Sequence, residues 1–287
     1  MFVKLAKEGK IDDIINTLKA GTDPNVKAKS GKKYTAMHAA SMKGHGKIIN
    51  ILFDYNASPN IKDKIGDTPL HYATLNGHTN CIQLLIKGGA HLNIKNLNLE
   101  TPMHYATMQG HTEIVKFFIE NKIPLNEIDN YGKTPMHYAA MYGYTEIVKV
   151  FIQNEADKNI LDVSNKTPLA WAITNGHLNT AKELINDGAD CSQITGKQII
   201  KYNLNIQPTH EQIKNIPKDN KIYKNYYYKK AQSCKDLGKK LYYLIEAQEL
   251  EQIQEIVKKI CNLQEDENIP KLKSMVDILN FILDNKK

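Results

Sequence analysis

The chain has 287 residues, 41% of them hydrophobic, and a formal net charge of +7. This apolar fraction is enough for a packed core and excludes a chain that is disordered throughout. All 38 basic residues are lysine, so the side chain best suited to bidentate recognition of phosphate or guanine is missing, and nucleic acid is not an expected partner. No segment approaches the roughly 20 apolar residues that cross a bilayer, and no signal peptide is recognisable. We therefore expect a cytoplasmic protein with reduced cysteines and no membrane span.

A threonine and a glycine recur at an interval of 33 residues between positions 35 and 176. Each glycine follows its threonine by nine residues, and the motif between them begins with Thr-Pro-Leu-His or a close variant. Five copies in one register indicate a repeat protein. The threonines are Thr35, Thr68, Thr101, Thr134 and Thr167, and the glycines are Gly44, Gly77, Gly110, Gly143 and Gly176.

Each copy has the pattern of two helices joined by a turn. The threonine is suited to the N-cap of a short first helix, the following proline to its first turn, and the glycine to its end. The second helix carries paired apolar residues one turn apart, such as Ile114, Val115, Phe118 and Ile119 in the third copy, which is typical of a buried helix. Because one helix pair cannot bury this stripe alone, the copies are predicted to stack.

The 33-residue period, the Thr-Pro-Leu-His core and the Gly-His step that follows it resemble the ankyrin repeat. The resemblance covers about residues 1–197, as an N-terminal capping repeat without the threonine motif and five full repeats. It implies an all-α ankyrin-repeat solenoid of helix-turn-helix units with β-hairpin fingers, and a concave face made of fingers and first helices. It also implies that the motif histidines, His38, His71, His104 and His137, hydrogen-bond the turn between repeats.

The regularly spaced histidines could instead suggest a series of metal sites. Stacked repeats lie about 10 Å apart, however, so equivalent histidines of two repeats cannot share one zinc ion at about 2.1 Å from each. Cys81 occupies a core position of its repeat, and no histidine-plus-acid arrangement accompanies Cys234. The chain also lacks a recognisable phosphate loop or catalytic motif. We predict no metal, no cofactor and no enzymatic activity.

Positions whose residue type is not fixed by the repeat motif indicate a binding surface. Seven residues after each of the first four motif threonines stands a large apolar residue, which the ankyrin template places on the first helix toward the groove. If its side chains are exposed, this row would form a docking patch. The alternative is that the row packs between neighbouring first helices. Polar neighbours, and finger residues that change from acidic to basic along the array, complete the predicted set. The partner-binding residues are Tyr34, Met42, Lys43, Asp67, Leu75, Asn76, Glu100, Met108, Gln109, Lys133, Met141, Tyr142 and Lys166.

The predicted function is a non-catalytic protein–protein interaction scaffold or adaptor. Its partner would be another protein on the concave ankyrin surface, within a cytoskeletal, ciliary or signalling assembly that the sequence does not specify.

After the repeats, residues 198–220 include two prolines and are predicted to be a linker with short helices. Residues 221–287 are predicted to be a helical region whose apolar stripes, at 241–260 and 272–283, cap the last repeat.

Between positions 221 and 243 the chain has seven lysines, six tyrosines and one acid. Such a stretch could contact nucleic acid, lipid head groups or an acidic protein tail. It is more typical of a helix whose tyrosines pack inward while its lysines face solvent. The alternative function is an effector-like protein whose C-terminal helical region carries a separate activity or contacts such an anionic partner through residues 221–243.

Overall fold

The computed structural model describes residues 1–29, 31–204, 216, 220–233, 243 and 247. These residues fall into two units, Met1–Gln193 and a second unit that begins at Ile194. Every regular element in the described part of the chain is an α-helix, so the all-α prediction is confirmed there.

The first unit is a series of helix pairs. The first helices of successive pairs pack on one another, and the second helices form an adjoining layer. The first helices are α1 (Phe2–Glu8), α3 (Ala36–Lys43), α5 (Pro69–Leu75), α7 (Pro102–Met108), α9 (Pro135–Tyr142) and α11 (Pro168–Thr174), and the second helices are α2 (Ile11–Lys19), α4 (Gly46–Asp54), α6 (Thr79–Lys87), α8 (Thr112–Glu120), α10 (Thr145–Gln153) and α12 (Leu178–Asn186).

The repeat motif forms the caps and the core that its residue types predict. Thr35 and Thr134 have extended backbone and accept, through their hydroxyls, the N–H of the third helical residue at 3.4 Å. The apolar stripes of the second helices are buried, and Phe118 and Phe151 are fully so. Each such side chain contributes about 1.5–3 kcal/mol relative to exposure, so stacking supplies most of the stability of these short helices.

The loops between pairs are tight finger turns at 61–67, 94–100, 127–133 and 160–166, in which the described residues form no strand. In the first of them, Asp63 Oδ1 accepts the N–H groups of Ile65 and Asp67 at 2.9 and 3.0 Å. The Asp63 carboxylate therefore accepts backbone N–H groups that would donate to the neighbouring strand in a β-hairpin. Neighbouring turns are still joined by single backbone bonds, such as Leu97 N–H to the Ile65 carbonyl at 3.0 Å.

Each motif histidine links its own repeat to the next. His71 Nδ1 accepts the N–H of Thr68 at 3.1 Å, and its Nε2 lies 3.2 Å from the carbonyl oxygen of Glu100. Because a backbone N–H only donates and a carbonyl only accepts, the ring must be neutral with its hydrogen on Nε2. The equivalent rings are His38, His104 and His137.

In the fifth repeat Ala170 stands in place of the motif histidine, and a residue from further along the chain takes over. The N–H of Thr167 donates to Gln193 Oε1 at 3.1 Å, and Gln193 Nε2 donates to the carbonyl of Asn165 at 2.6 Å. Gln193 therefore supplies the acceptor for the threonine N–H that the imidazole supplies elsewhere, while its own donor bonds the loop before Thr167 rather than a later finger.

A second ring contact joins neighbouring repeats at the C-terminal ends of the first helices. His78 Nε2 donates to the carbonyl of Met42 at 3.2 Å while its ring lies against Gly44. Tyr144 replaces the histidine in the fourth repeat, and its ring lies on Gly110. A Cβ at Gly110 would be only 3.0 Å from that ring, and the residue has φ of +71°. Glycine is thus required there by both space and backbone conformation.

The second unit includes α13 (Gly196–Lys201) and α14 (Lys221–Ser233). In α14 the tyrosines at 223 and 227 are buried with Ile216 and Ala247, whereas Lys221 and Lys229 are exposed. The inward packing predicted for the tyrosines therefore holds at these two. The predicted linker is described only at 198–204, 216 and 220, and the predicted stripes at 241–260 and 272–283, like Cys234, lie outside the described residues except at 243 and 247.

None of the helices in the described ranges is long and apolar enough to cross a membrane.

Burial keeps the motif histidines neutral. Desolvation lowers the pKa of His38 to about 4 and that of His71 to about 3, and it also lowers the pKa of His104 and His137. In the unfolded chain these rings titrate near pH 6.5. Between pH 6.5 and about 4 the unfolded chain therefore binds protons that the folded chain does not, and stability falls as the pH falls.

We predict that the free energy of unfolding decreases between pH 6.5 and 4.5. The slope should approach about 1.4 kcal/mol per pH unit for each histidine that is protonated only in the unfolded chain. His71→Gln should reduce this slope by one histidine's share, whereas His91→Gln, at an exposed position, should leave it unchanged. Urea unfolding followed by circular dichroism at a series of pH values measures both, and an equal slope in the two variants would contradict the account.

Candidate protein-interaction face

We call the surface formed by the last turns of the first helices and the finger turns the helix–finger face. The predicted apolar row, Met42, Leu75, Met108 and Met141, lies on it in the last turns of α3, α5, α7 and α9. All four side chains are half-buried. They are neither a fully exposed patch nor part of the sealed core, so part of each side chain stays open to a partner.

The residue after each member of this row is exposed. These neighbours are Lys43, Asn76, Gln109 and Tyr142. Tyr142 is 47% exposed and forms an aromatic cluster with Tyr138 and Tyr144, with ring centroids 6.3 and 5.9 Å away. A large aromatic side chain held by its neighbours loses little entropy on binding, which suits it to anchor a partner.

The predicted finger residues, Tyr34, Asp67, Glu100, Lys133 and Lys166, divide into two kinds. Tyr34, Glu100 and Lys166 are half-buried and remain accessible. Asp67 and Lys133 are 2% and 9% exposed. The expectation that these two side chains set the register of a partner is therefore corrected, because both are used inside the array.

Internal partners account for the two buried charges. The Asp67 carboxylate accepts from Asn96 Nδ2 at 2.9 Å and from the Tyr105 hydroxyl at 3.1 Å. Lys133 Nζ lies 3.1 Å from Asp162 Oδ2 and 4.9 Å from the centre of the Trp171 ring. Each side chain thus reaches the next finger, where a partner of suitable chemistry meets it.

Asn96 stands where the other finger turns have an aspartate. Its amide oxygen accepts the two finger N–H groups at 2.9 Å, as the aspartates do. Its Nδ2 group meanwhile donates to Asp67 and, at 2.9 Å, to Glu100 Oε2. Burial raises the pKa of the Asp67 carboxyl, and Glu100 acts in the same direction. An aspartate at position 96 would bring a third carboxylate to the same place.

An aromatic row beneath the fingers was not among the predicted residues. It consists of the residue that follows the motif histidine position in the second to fifth repeats, and each of its four members donates to a finger acid. Tyr72 donates to Asp63 at 2.8 Å, Tyr105 to Asp67 at 3.1 Å, Tyr138 to Asp129 at 2.5 Å, and Trp171 to Asp162 at 2.7 Å. The signal was an aromatic residue at 33-residue intervals directly after the motif histidine.

The tips of the later fingers carry exposed apolar side chains that sequence reasoning also missed. Leu97 is 69% exposed, Tyr131 is 57% exposed and Val163 is 70% exposed. No repeat pattern marks them, because tip positions face solvent in any stack and the fold does not restrict their side chains.

Catalytic or metal-binding geometry does not emerge on this face. Among the described residues no group of three or more histidine, cysteine or acidic side chains is placed to hold a metal ion. Both nitrogens of each motif imidazole are already bonded within the array. Burial raises the pKa of Cys81 to about 11, so its thiol is protonated at neutral pH and is a poor nucleophile.

Stacked helix pairs with threonine caps, bonded finger turns and a histidine link between repeats define a solenoid repeat protein. A family model described as ankyrin repeats (3 copies) matches residues 2–96, 94–162 and 132–195. The chain belongs to the ankyrin-repeat family. Ankyrin repeats are protein–protein interaction modules, and the family is generally non-catalytic.

One relative is the ankyrin repeat-containing protein P1E11.10 of Schizosaccharomyces pombe. It is 38% identical over 64 residues, which cover 22% of this chain and 30% of the relative. The match therefore spans less than a third of the relative's length.

We predict that Asn96→Asp lowers the free energy of unfolding at pH 7 by roughly 3 kcal/mol, because it adds a buried carboxylate without a cation. Asn50→Asp, at an exposed position of α4, should change it by less than about 0.5 kcal/mol.

The clustered carboxyls should have raised pKa values in the folded variant, so protonation would favour its folded state. The stability deficit of Asn96→Asp relative to the native chain should therefore shrink as the pH is lowered from 7 to 5 in urea unfolding. A deficit that is constant over this range would argue against carboxylate clustering.

Proposed function

We propose that this chain is a non-catalytic scaffold or adaptor that holds another protein on the helix–finger face. The observation that carries the proposal is the half-open row of Met42, Leu75, Met108 and Met141, repeated in register on four first helices. Methionine adapts its shape to irregular apolar surfaces, which is useful at peptide- and protein-binding sites. The exposed neighbours of the row supply a polar rim.

The accessible charges give such a partner an orientation. Glu100 and Lys166 lie two repeats apart at the bases of their fingers, with opposite charge. Lys166 Nζ lies 4.2 Å from the centre of the half-buried Trp171 ring. Charges at a rim mainly affect the association rate and the register of a complex, whereas Tyr142 and the methionines would supply most of its binding energy.

The absence of catalysis and a cytoplasmic location are part of the proposal. The absence of catalysis is supported by the structural use of the motif histidines and by the raised pKa of the Cys81 and Cys191 thiols. The assembly in which the partner acts, whether cytoskeletal, ciliary or signalling, would be identified by the partner itself.

We predict that Met108→Glu combined with Met141→Glu abolishes capture of the partner from a native lysate, as measured by affinity capture and mass spectrometry. Because both sites are half-open, each carboxylate can reach water, and the melting temperature should fall by only a few degrees. The matched control is Gln83→Glu combined with Gln153→Glu, which adds the same charge at exposed positions of α6 and α10.

Two results would count against the proposal. If every protein captured by the native chain is also captured by the methionine variant, the row is not the binding surface. If the variant melts ten degrees or more below the native chain, the row is core. Capture that is lost only in Lys224→Glu combined with Lys229→Glu, on α14, would favour the C-terminal region instead.

A further inference from the structure

A groove opens at the N-terminal end of the helix–finger face. It has a volume of about 880 Å³ and lies between α1 and the chain segment 22–29, with Lys43 at the end of α3 also lining it. Lys43 belongs to the exposed positions next to the apolar row, so the groove continues that face rather than lying apart from it. A site of this volume accommodates several side chains.

The groove is lined by both apolar and basic side chains. Met1 and Val26, 99% and 40% exposed, line it together with the half-buried Val3. Exposed apolar side chains gathered in a recess mark a site that another molecule covers.

The lining has a strong excess of positive charge. Five lysines and one glutamate line the groove, giving the lining a net charge of +4. The glutamate, Glu8, lies 3.7 Å from Lys4 Nζ and so offsets part of one charge. Lys27 Nζ donates to the carbonyl of Lys62 at 2.8 Å. The other lining lysines are Lys7, Lys29 and Lys43.

We infer that this groove binds an acidic segment of the partner protein that carries at least one large apolar side chain. The inference rests on the proposed function and names the chemistry of the segment. Aspartates and glutamates of the segment would meet the lysines, and the apolar side chain would cover Met1 and Val26. Lysine is a flexible point charge, so these side chains accept carboxylates at several spacings rather than one fixed geometry.

The shape of the site favours a peptide over other anionic partners. A bilayer surface is nearly flat and would contact the outer lysines without entering the recess between α1 and residues 22–29. A nucleic acid would match the lysines but would leave the apolar side chains uncovered, and phosphate contacts gain nothing from them. An acidic segment with apolar side chains satisfies both parts.

The test is a selection of random 12-residue peptides on phage against the full chain, followed by fluorescence anisotropy of the enriched peptides. Peptides that bind the groove should be enriched in aspartate, glutamate and large apolar residues. Their affinity should fall at least tenfold in Lys4→Glu combined with Lys29→Glu, and also in Val26→Asp. It should also fall between 50 and 300 mM salt, as expected for exposed charge pairs.

Matched controls separate the groove from general charge. Lys87→Glu combined with Lys182→Glu makes the same charge change at exposed positions of α6 and α12 and should retain native affinity. Asn50→Asp, at an exposed position of α4, adds the same single charge as Val26→Asp and should also retain native affinity.

Failure to enrich any peptide, enrichment without an acidic bias, or equal affinity in groove and control variants would each overturn the inference. So would sedimentation with phosphatidylserine vesicles that is lost in the groove variants, because a membrane surface would then be the occupant. A partner that is lost in the Met108 and Met141 double variant but retained in the groove variants would leave the proposed function standing and refute the groove alone.

Discussion

The bond from each motif imidazole to the next finger is the interaction on which the rest of the array depends. Through Nδ1 the ring accepts the N–H of the threonine that caps its own first helix. Through Nε2 it donates to the carbonyl of the residue that precedes the next motif threonine. Only the backbone of that residue is restrained. Its side chain is therefore free to differ between repeats, which is why the position carries Asp67, Glu100, Lys133 and Lys166 in one regular stack. The same hydrogen bond thus links neighbouring repeats and leaves the side chain at this position variable.

The neighbouring finger limits which side chains can stand before each motif threonine. A side chain that is buried there must find its partner one repeat further on, as Asp67 does in Asn96 and Lys133 does in Asp162. Such pairs satisfy the buried charges and leave them little surface for another molecule. The side chains left over for recognition are those with open surface, the half-buried apolar row and the exposed Tyr142 among them. Burial thus separates the structural charges from those that can contact a partner.

The sequence predicts whatever is local and periodic. The threonine caps and the apolar stripes follow from residue spacing within one repeat, and the histidine role follows from the family resemblance. Other features depend on single contacts between distant positions. The replacement of the missing histidine by Gln193, 26 residues after Thr167, has no periodic counterpart. The burial of Asp67 likewise depends on Asn96 and Tyr105, which lie 29 and 38 residues away. The openness of the methionine row depends on how closely successive first helices approach, which the spacing of residues does not specify.

The central claim is that another protein occupies the helix–finger face. The most direct measurement is hydrogen–deuterium exchange of the chain with and without its captured partner. The account predicts added protection in the last turns of α3, α5, α7 and α9 and in the finger turns between residues 61 and 166. Second helices α4, α6, α8 and α10 should exchange as they do in the free chain. Protection confined to those second helices, or to α14, would contradict the account.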